Sequence, residues 1–344
     1  MAAILLIVGI SVLILLHEAG HFFAAKHYGI KVEEFGFGFP PRLFSKKKGE
    51  TTYSFNLLPF GGFVRLYGEH EAHLEGKENI DKKRSFTHQS AWKRFIVIAA
   101  GIAINFLLGW IIISSVFMIG AKESIVVTQV LENSPAEQAG IMAGDEFVNF
   151  SSSQEFIAHV NQSQGEQLSL KVLRDGEELD FNLSPRTNPE VIAREGAIGA
   201  ALTETGFPHL GFFESLWEGL VVSINIMAQI IKSLWFLLVG IFTTGAIAEG
   251  VVGPVGIFGV ANDLGSLGFI YVLQLVGLIS LNLAILNALP IPALDGGRIF
   301  FILLEKLKGS KLNANKELIA NGIGFVLLLL LMIAITIRDV VQLF

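Results

Sequence analysis

Residues 17–21 read His17-Glu18-Ala19-Gly20-His21, directly behind an apolar run from Met1 to Leu16 that carries no charge. On a helix, HExxH sets two imidazoles at i and i+4, one above the other, spaced to share a metal ion. Glu18 lies beside them, placed to take a proton from a water activated at that metal. Three ionisable groups at the end of a membrane-grade apolar stretch are costly, so they mark a functional site. A chance HExxH is much rarer inside an apolar helix, where His and Glu are depleted.

A metal needs more ligands than two. The chain has no cysteine, so thiolates are excluded both as ligands and as nucleophiles. The late stretch Pro290-Ile291-Pro292-Ala293-Leu294-Asp295-Gly296-Gly297-Arg298 offers a candidate. Its prolines stop the preceding apolar helix, and its glycines let the backbone approach closely. Asp295 is thereby held at membrane depth, where a lone carboxylate is expensive unless it meets a cation. The metal held by His17 and His21 is its natural partner. A rival arrangement, a membrane-anchored zincin facing the cytosol, would recruit Glu305 or Glu317 instead.

The elements that position these groups are mostly membrane helices. The 344-residue chain is 52% hydrophobic and 16% charged, against about a quarter charged for a soluble protein. Lys and Arg outnumber Asp and Glu by 13 to 8 from Lys26 to Arg94, and are outnumbered 5 to 14 from Ala121 to Leu210. Lys/Arg-rich loops stay cytoplasmic, so the first segment is expected inside and the acidic one outside. The basic runs flank hydrophobic spans and lack an aromatic nucleic-acid motif, which argues against a nucleic-acid partner. The first residues lack the basic start of a signal peptide, and cleavage at Ala24-Ala25 would discard the HExxH. An uncleaved first span with its N-terminus outside is expected.

Four spans are expected, at about 2–27, 91–119, 269–289 and 319–337, set by the roughly 30 Å hydrocarbon layer. The HExxH lies toward the inner end of the first. Residues 30–68 interleave β-formers with Gly and Pro and read as short strands and hairpins, which must lie on protein or in a watery cavity. The edge around Gly61-Gly62-Phe63 is placed to hold an extended peptide by strand addition. Residues 69–90 form a polar cytosolic connector, whose His70, His73 and His88 lack ligand spacing. In the second span Gly101, Asn105 and Gly109 recur at i, i+4 and i+8, which permits close packing on the first span. Asn105 is expected as a packing or hydrogen-bonding residue near the site.

Residues 121–203 read as a soluble domain of mixed strands and short helices. Ser134 is an N-cap with Pro135 at N1, and strands at 168–173 and 178–183 are joined by Asp175-Gly176. Within 204–268, Phe212–Ile241 is apolar enough to span. A single crossing there would place Asp295 on the wrong side, so either both this stretch and the apolar 245–261 cross or neither does. Trp217, Glu218, Gln229 and Lys232 give the first a polar side. An interfacial amphipathic helix is expected, then a Gly-rich loop around Gly253-Pro254-Val255-Gly256 packed on the membrane domain.

Together the HExxH, Gly36-Phe37-Gly38, Gly61-Gly62, Asn282 through Asn287 and Leu294-Asp295-Gly296-Gly297 resemble the site-2 protease family of M50-type intramembrane zinc metalloproteases, in its RseP-like bacterial branch. SPAEQAG-x-x-AGD resembles PDZ domains of bacterial membrane and periplasmic proteases, and Gly196-Ala197-Ile198-Gly199 looks like a circularly permuted carboxylate-binding strand. The resemblance implies a polytopic α-helical protein of the bacterial cytoplasmic (inner) membrane, with a membrane-reentrant β-hairpin and one extracytoplasmic PDZ (α+β) domain. The enterobacterial form carries two tandem PDZ domains, where this chain has room for one. The resemblance further implies one Zn2+ per chain held by His17, His21 and Asp295, with Glu18 as base. Asn282, Asn287 and Pro290 would hold the substrate backbone, and the 51–66 hairpin would pair with the unwound substrate helix. The implied activity is hydrolysis within transmembrane segments of single-pass membrane proteins, such as anti-sigma factors or remnant signal peptides. The implied partners are those segments, peptide or protein tails at the PDZ domain, and the lipid bilayer. A non-enzymatic PDZ scaffold would account for 121–203 but not for the intramembrane His, Glu and Asp.

Overall fold

The computed structural model describes residues 1–69, 81–150, 152–174, 176–244 and 252–342. His70, His73, Asp175 and residues 245–251 of the Gly-rich stretch lie outside the described residues. The chain divides into two compact units, Met1–Val116 with Phe213–Phe344, and Phe117–Phe212.

In chain order the elements begin with α1 (Ala2–His27), β1 (Val32–Lys48), β2 (Thr51–Leu66) and α2 (Ala91–Ile119). There follow β3 (Ala121–Val130), α3 (Pro135–Ala139), β4 (Glu146–Phe147), α4 (Ser153–Gln162), β5 (Leu168–Arg174), β6 (Glu177–Leu183), α5 (Pro189–Glu195) and β7 (Ala200–Phe207). The chain ends with α6 (Phe212–Thr244), α7 (Gly256–Leu267), α8 (Phe269–Ala288), α9 (Asp295–Lys308) and α10 (Ala314–Gln342).

Five helices among the described residues are long and apolar enough to cross a membrane: Ala2–His27, Ala91–Ile119, Phe212–Leu237, Phe269–Ala288 and Asn315–Val341. The protein is therefore polytopic, built from helices that satisfy their own backbone in lipid. Glycines set how closely these helices meet. A Cβ at Gly9 of α1 would lie 2.7 Å from the Val276 side chain of α8, and one at Gly109 of α2 would lie 2.5 Å from that of Leu281. Gly109 thus serves the contact with α8, not the expected one with α1. That face turns to α8 because α1 and α8 both pack beside α2, and only Gly101 meets the first span.

Residues 253–267 differ from the expected loop. Residues 256–267 form α7, whose start has no local side-chain cap. Asp339, far along in α10, accepts hydrogen bonds from the Gly253 and Gly256 amides at 3.2 and 2.8 Å. A carboxylate at a helix N-terminus satisfies free amides and suits the macrodipole. The cap comes from the other end of the sequence, so nothing local announces it.

The β region is one sheet rather than separate hairpins. Residues 34–37 have partners on both sides, in 52–55 and in 62–65, while Arg42 to Lys48 pair with Asn56 back to Thr51. Each strand therefore folds across the sheet, leaving 62–66 on one edge. Glu34 is buried at its centre and accepts from Arg42 and Arg65, each at 2.5 Å, so neither charge is left uncompensated. Glu50, at the turn between β1 and β2, accepts from Lys26 of α1 and from Arg84. Those two donors hold its carboxyl at about 2, so the link persists at neutral pH and is lost only as pH falls through that value.

The second unit is a five-stranded sheet of order β6-β5-β4-β3-β7. Its core is Ile125, Val127, Phe147, Phe156, Leu170 and Val172, drawn from alternate strand positions and the apolar face of α4. The sequence cues for α3 hold: the Ser134 side chain accepts from the Glu137 amide, and Gly140 closes the helix in the left-handed region. Gly196-Ala197-Ile198-Gly199 is not itself a strand. Both glycines have φ near +75°, and β7 starts after them at Ala200. That conformation breaks an extended chain.

Asp145 is buried in this unit and held by Arg174 through two hydrogen bonds, of 2.6 and 2.7 Å. Arg174→Ala would leave that carboxylate without its cation. We expect a loss of about 3 kcal/mol in this unit. Hydrogen exchange of the full-length protein reads it as faster exchange across β4 and β5, with α1 and α8 unaffected.

Candidate metal centre

The HExxH side chains point inward because α1 is covered on that face by α2. A Cβ on Gly101 of α2 would sit 2.4 Å from His21 Nε2 and 2.8 Å from His17 Cε1, so only glycine allows the two helices to approach here. Across the same contact, the imidazole of His21 donates from Nδ1 to the carbonyl of Val97 at 2.8 Å. A carbonyl has no proton to give, so in the neutral ring Nδ1 carries the proton and Nε2 presents a bare lone pair.

Asp295 arrives from the far end of the chain. It is the first residue of α9, where a carboxylate suits the helix dipole. Its two glycines let that first turn sit on the loop before it. A Cβ at Gly296 would lie 2.1 Å from the Leu289 carbonyl oxygen, and one at Gly297 would lie 2.3 Å from that of Ile291. The loop is fixed from its other side by α10. The Ala293 amide donates to Asn321 at 3.0 Å, and Gly324 leaves no room for a Cβ against the Pro292 carbonyl. Ala293 itself takes a positive φ of 78°, a conformation costing a non-glycine residue about 1 kcal/mol.

These constraints bring three ligand atoms together. Asp295 Oδ2 lies 3.1 Å from His17 Nε2 and 3.2 Å from His21 Nε2, and the two imidazole nitrogens are 3.2 Å apart. Both histidines are buried, at 8% and 6% exposure. Zinc bonds of about 2.0–2.1 Å at tetrahedral angles would place neighbouring ligand atoms about 3.3 Å apart, close to what is seen. The donor set is also chemically right, since a carboxylate and two neutral imidazole nitrogens converge with lone pairs and too few protons to share among themselves. The residues fit zinc.

The site opens on a cleft of about 240 Å³ lined by Ile14, His17, Glu18, Asn105, Leu283, Asn287, Ala293, Leu294 and Asp295. Glu18 is thus beside the ligands, as expected. Gly62 of the sheet edge approaches it, since a Cβ there would lie 3.1 Å from Glu18 Cγ. Gly61 has φ +109°, and the Phe63 ring covers Gly36. Asn287 lines the cleft. Asn282 is exposed and about 140° further round α8, outside the lining, and Pro290 starts the loop that carries Asp295. Glu305, the rival ligand, is paired instead with Arg94, and Glu317 lines a separate cavity with it. Two contributors have no role that the sequence suggests: Val97, whose carbonyl sets the His21 tautomer, and Asn321, which pins Ala293. Neither carries a local signal, because each acts through tertiary contact alone.

Known proteins place this geometry in a family. A profile of Peptidase family M50 matches residues 5–331. A Clostridium perfringens protein whose name places it among the zinc metalloproteases is 33% identical over 99% of both chains. The zinc metalloprotease RasP of Shouchella clausii is 30% identical over 97% of both chains. The regulator of sigma-W protease RasP of Bacillus subtilis is 27% identical over 96% of both chains. A match that runs from the first turn of α1 into α10 covers every element that builds the site, and the chain belongs to peptidase family M50, the site-2 proteases.

Proposed function

We propose that this chain is an intramembrane zinc metalloendopeptidase that cuts peptide bonds within transmembrane segments of single-pass membrane proteins. The observation that carries this reading is the convergence of three buried ligand atoms within about 3.2 Å, with Glu18 on the same cleft. One zinc ion would be held by His17, His21 and Asp295. Bound there, it supplies a Lewis acid that makes water nucleophilic near neutral pH and polarises the scissile carbonyl. Glu18 takes the proton from the attacking water and delivers it to the leaving amide nitrogen.

A helical substrate hides its carbonyls in its own i→i−4 bonds and must unwind before it can be cut. The free edge at Gly61-Gly62-Phe63 and the carboxamide of Asn287, with Pro290 shaping the loop, offer replacement partners for the extended backbone, whereas Asn282 lies outside the cleft lining. In this reading α1, α2, α8 and α10 cross the bacterial cytoplasmic membrane. The polar side of α6 lies in the interface, and the 51–66 segment re-enters from the cytosolic side. The 121–203 domain is an extracytoplasmic PDZ domain that takes peptide or protein tails. The name of the Bacillus subtilis relative, a regulator of sigma-W, supports regulatory membrane proteins such as anti-sigma factors among the substrates.

Three variants test this reading. Glu18→Gln is expected to keep about one zinc per chain by elemental analysis while cleavage of a transmembrane reporter falls by at least about 10³-fold. Retained cleavage would remove Glu18 from the chemistry. Asp295→Ala is expected to weaken zinc retention by more than about 100-fold in a chelator competition, beyond what loss of an outer partner does. Gly101→Ala is expected to lower zinc content as well, because its methyl group would occupy the space of the His21 ring.

A further inference from the structure

Asn105 sits in α2 with none of its surface exposed, and among the described residues neither its Nδ2 nor its Oδ1 has a hydrogen-bond partner. A buried carboxamide left unpaired is costly in an apolar span, so a leucine there would be more stable. Yet the residue is held in place with care. The Ser280 hydroxyl of α8 donates to the Asn105 carbonyl at 2.7 Å, fixing this turn of α2 against the helix that bears Asn287. Asn105 is among the residues around the same cleft as His17, Glu18 and Asp295. Of the other lining residues, only Asn287 offers a neutral amide.

Position decides what the amide can reach. Gly101 marks the layer of the metal ligands, and Asn105 is one turn further along α2, about 6 Å away. An extended chain advances about 3.3 Å per residue, so that distance equals about two residues. The carbonyl under attack is therefore out of range, and a neighbouring peptide group is within it. We propose that the Asn105 carboxamide is a substrate-backbone clamp, donating from Nδ2 and accepting at Oδ1 to a peptide group about two residues from the scissile bond. It supplies bonds that the unwound segment has lost. The assignment rests on the proteolytic reading of the site.

The test is a double-mutant cycle on the full-length enzyme. The substrate is a synthetic transmembrane peptide whose cleavage position has been mapped by mass spectrometry. Its backbone amides are replaced one at a time by esters, up to three residues either side of that position. Asn105→Leu, and Asn105→Ala as a variant without added branching, are expected to keep about one zinc per chain and an unchanged or higher Tm. Their kcat/KM is expected to fall by about 10-fold. An ester at one position, about two residues from the cut, should slow the wild type and leave the variants no slower than they already are. Unchanged kcat/KM, a lowered Tm with lost zinc in both variants, or ester effects that are additive at every position would overturn the clamp. If the wild type cuts nothing, or Glu18→Gln cuts as well as the wild type, it is the proteolytic reading that fails.

Discussion

A carboxylate and two imidazole nitrogens cannot be kept side by side in an apolar layer without a cation. Desolvation and mutual repulsion would drive them apart. Here they lie within 3.2 Å of one another, with backbone geometry setting the approach. Most of what is unusual in the fold serves that convergence. Gly101 removes a side chain where the imidazoles need space, and Gly296 and Gly297 remove two where α9 must sit on its own approach loop. Val97 fixes a tautomer with a carbonyl, and Asn321 fixes the strained Ala293 from a helix that contributes nothing to the ligand set.

A second constraint comes from the substrate. The cleft lies beside a sheet edge and is lined by two asparagines, Asn105 and Asn287, an arrangement suited to a chain that has given up its helix. In water such groups would be indifferent, since solvent satisfies them. In a dry layer each one changes the cost of unwinding. The sheet is correspondingly rigid, with Glu34 clamped between Arg42 and Arg65 and Glu50 tied to α1.

The side chains that converge at the candidate centre stand out in the sequence because their residue types are improbable where they stand. His17, Glu18, His21 and Asp295 each violate the apolar pattern around them, and the prolines and glycines near Asp295 announced a break at membrane depth. The spans of α1, α2 and α8 followed from length and hydropathy alone. What escaped was set by distant partners. The helix α7 is capped by Asp339, more than eighty residues later, so its glycines read as a loop. Folding of the β region across itself was hidden because its partners alternate between two stretches of one strand. Asn105 was visible as a polar intrusion, but its lack of any partner is a property of the packed state only.

His17 and His21 are made within the first two dozen residues, and Asp295 only after most of the chain has followed. At about 5–20 residues per second, synthesis leaves an interval of roughly 14–55 s between them. During that interval the two histidines exist without the carboxylate that faces them in the folded chain. A partly synthesised chain lacks one of the three converging ligand atoms. The wide sequence separation of these groups thus means that the centre is assembled only after α9 has been made.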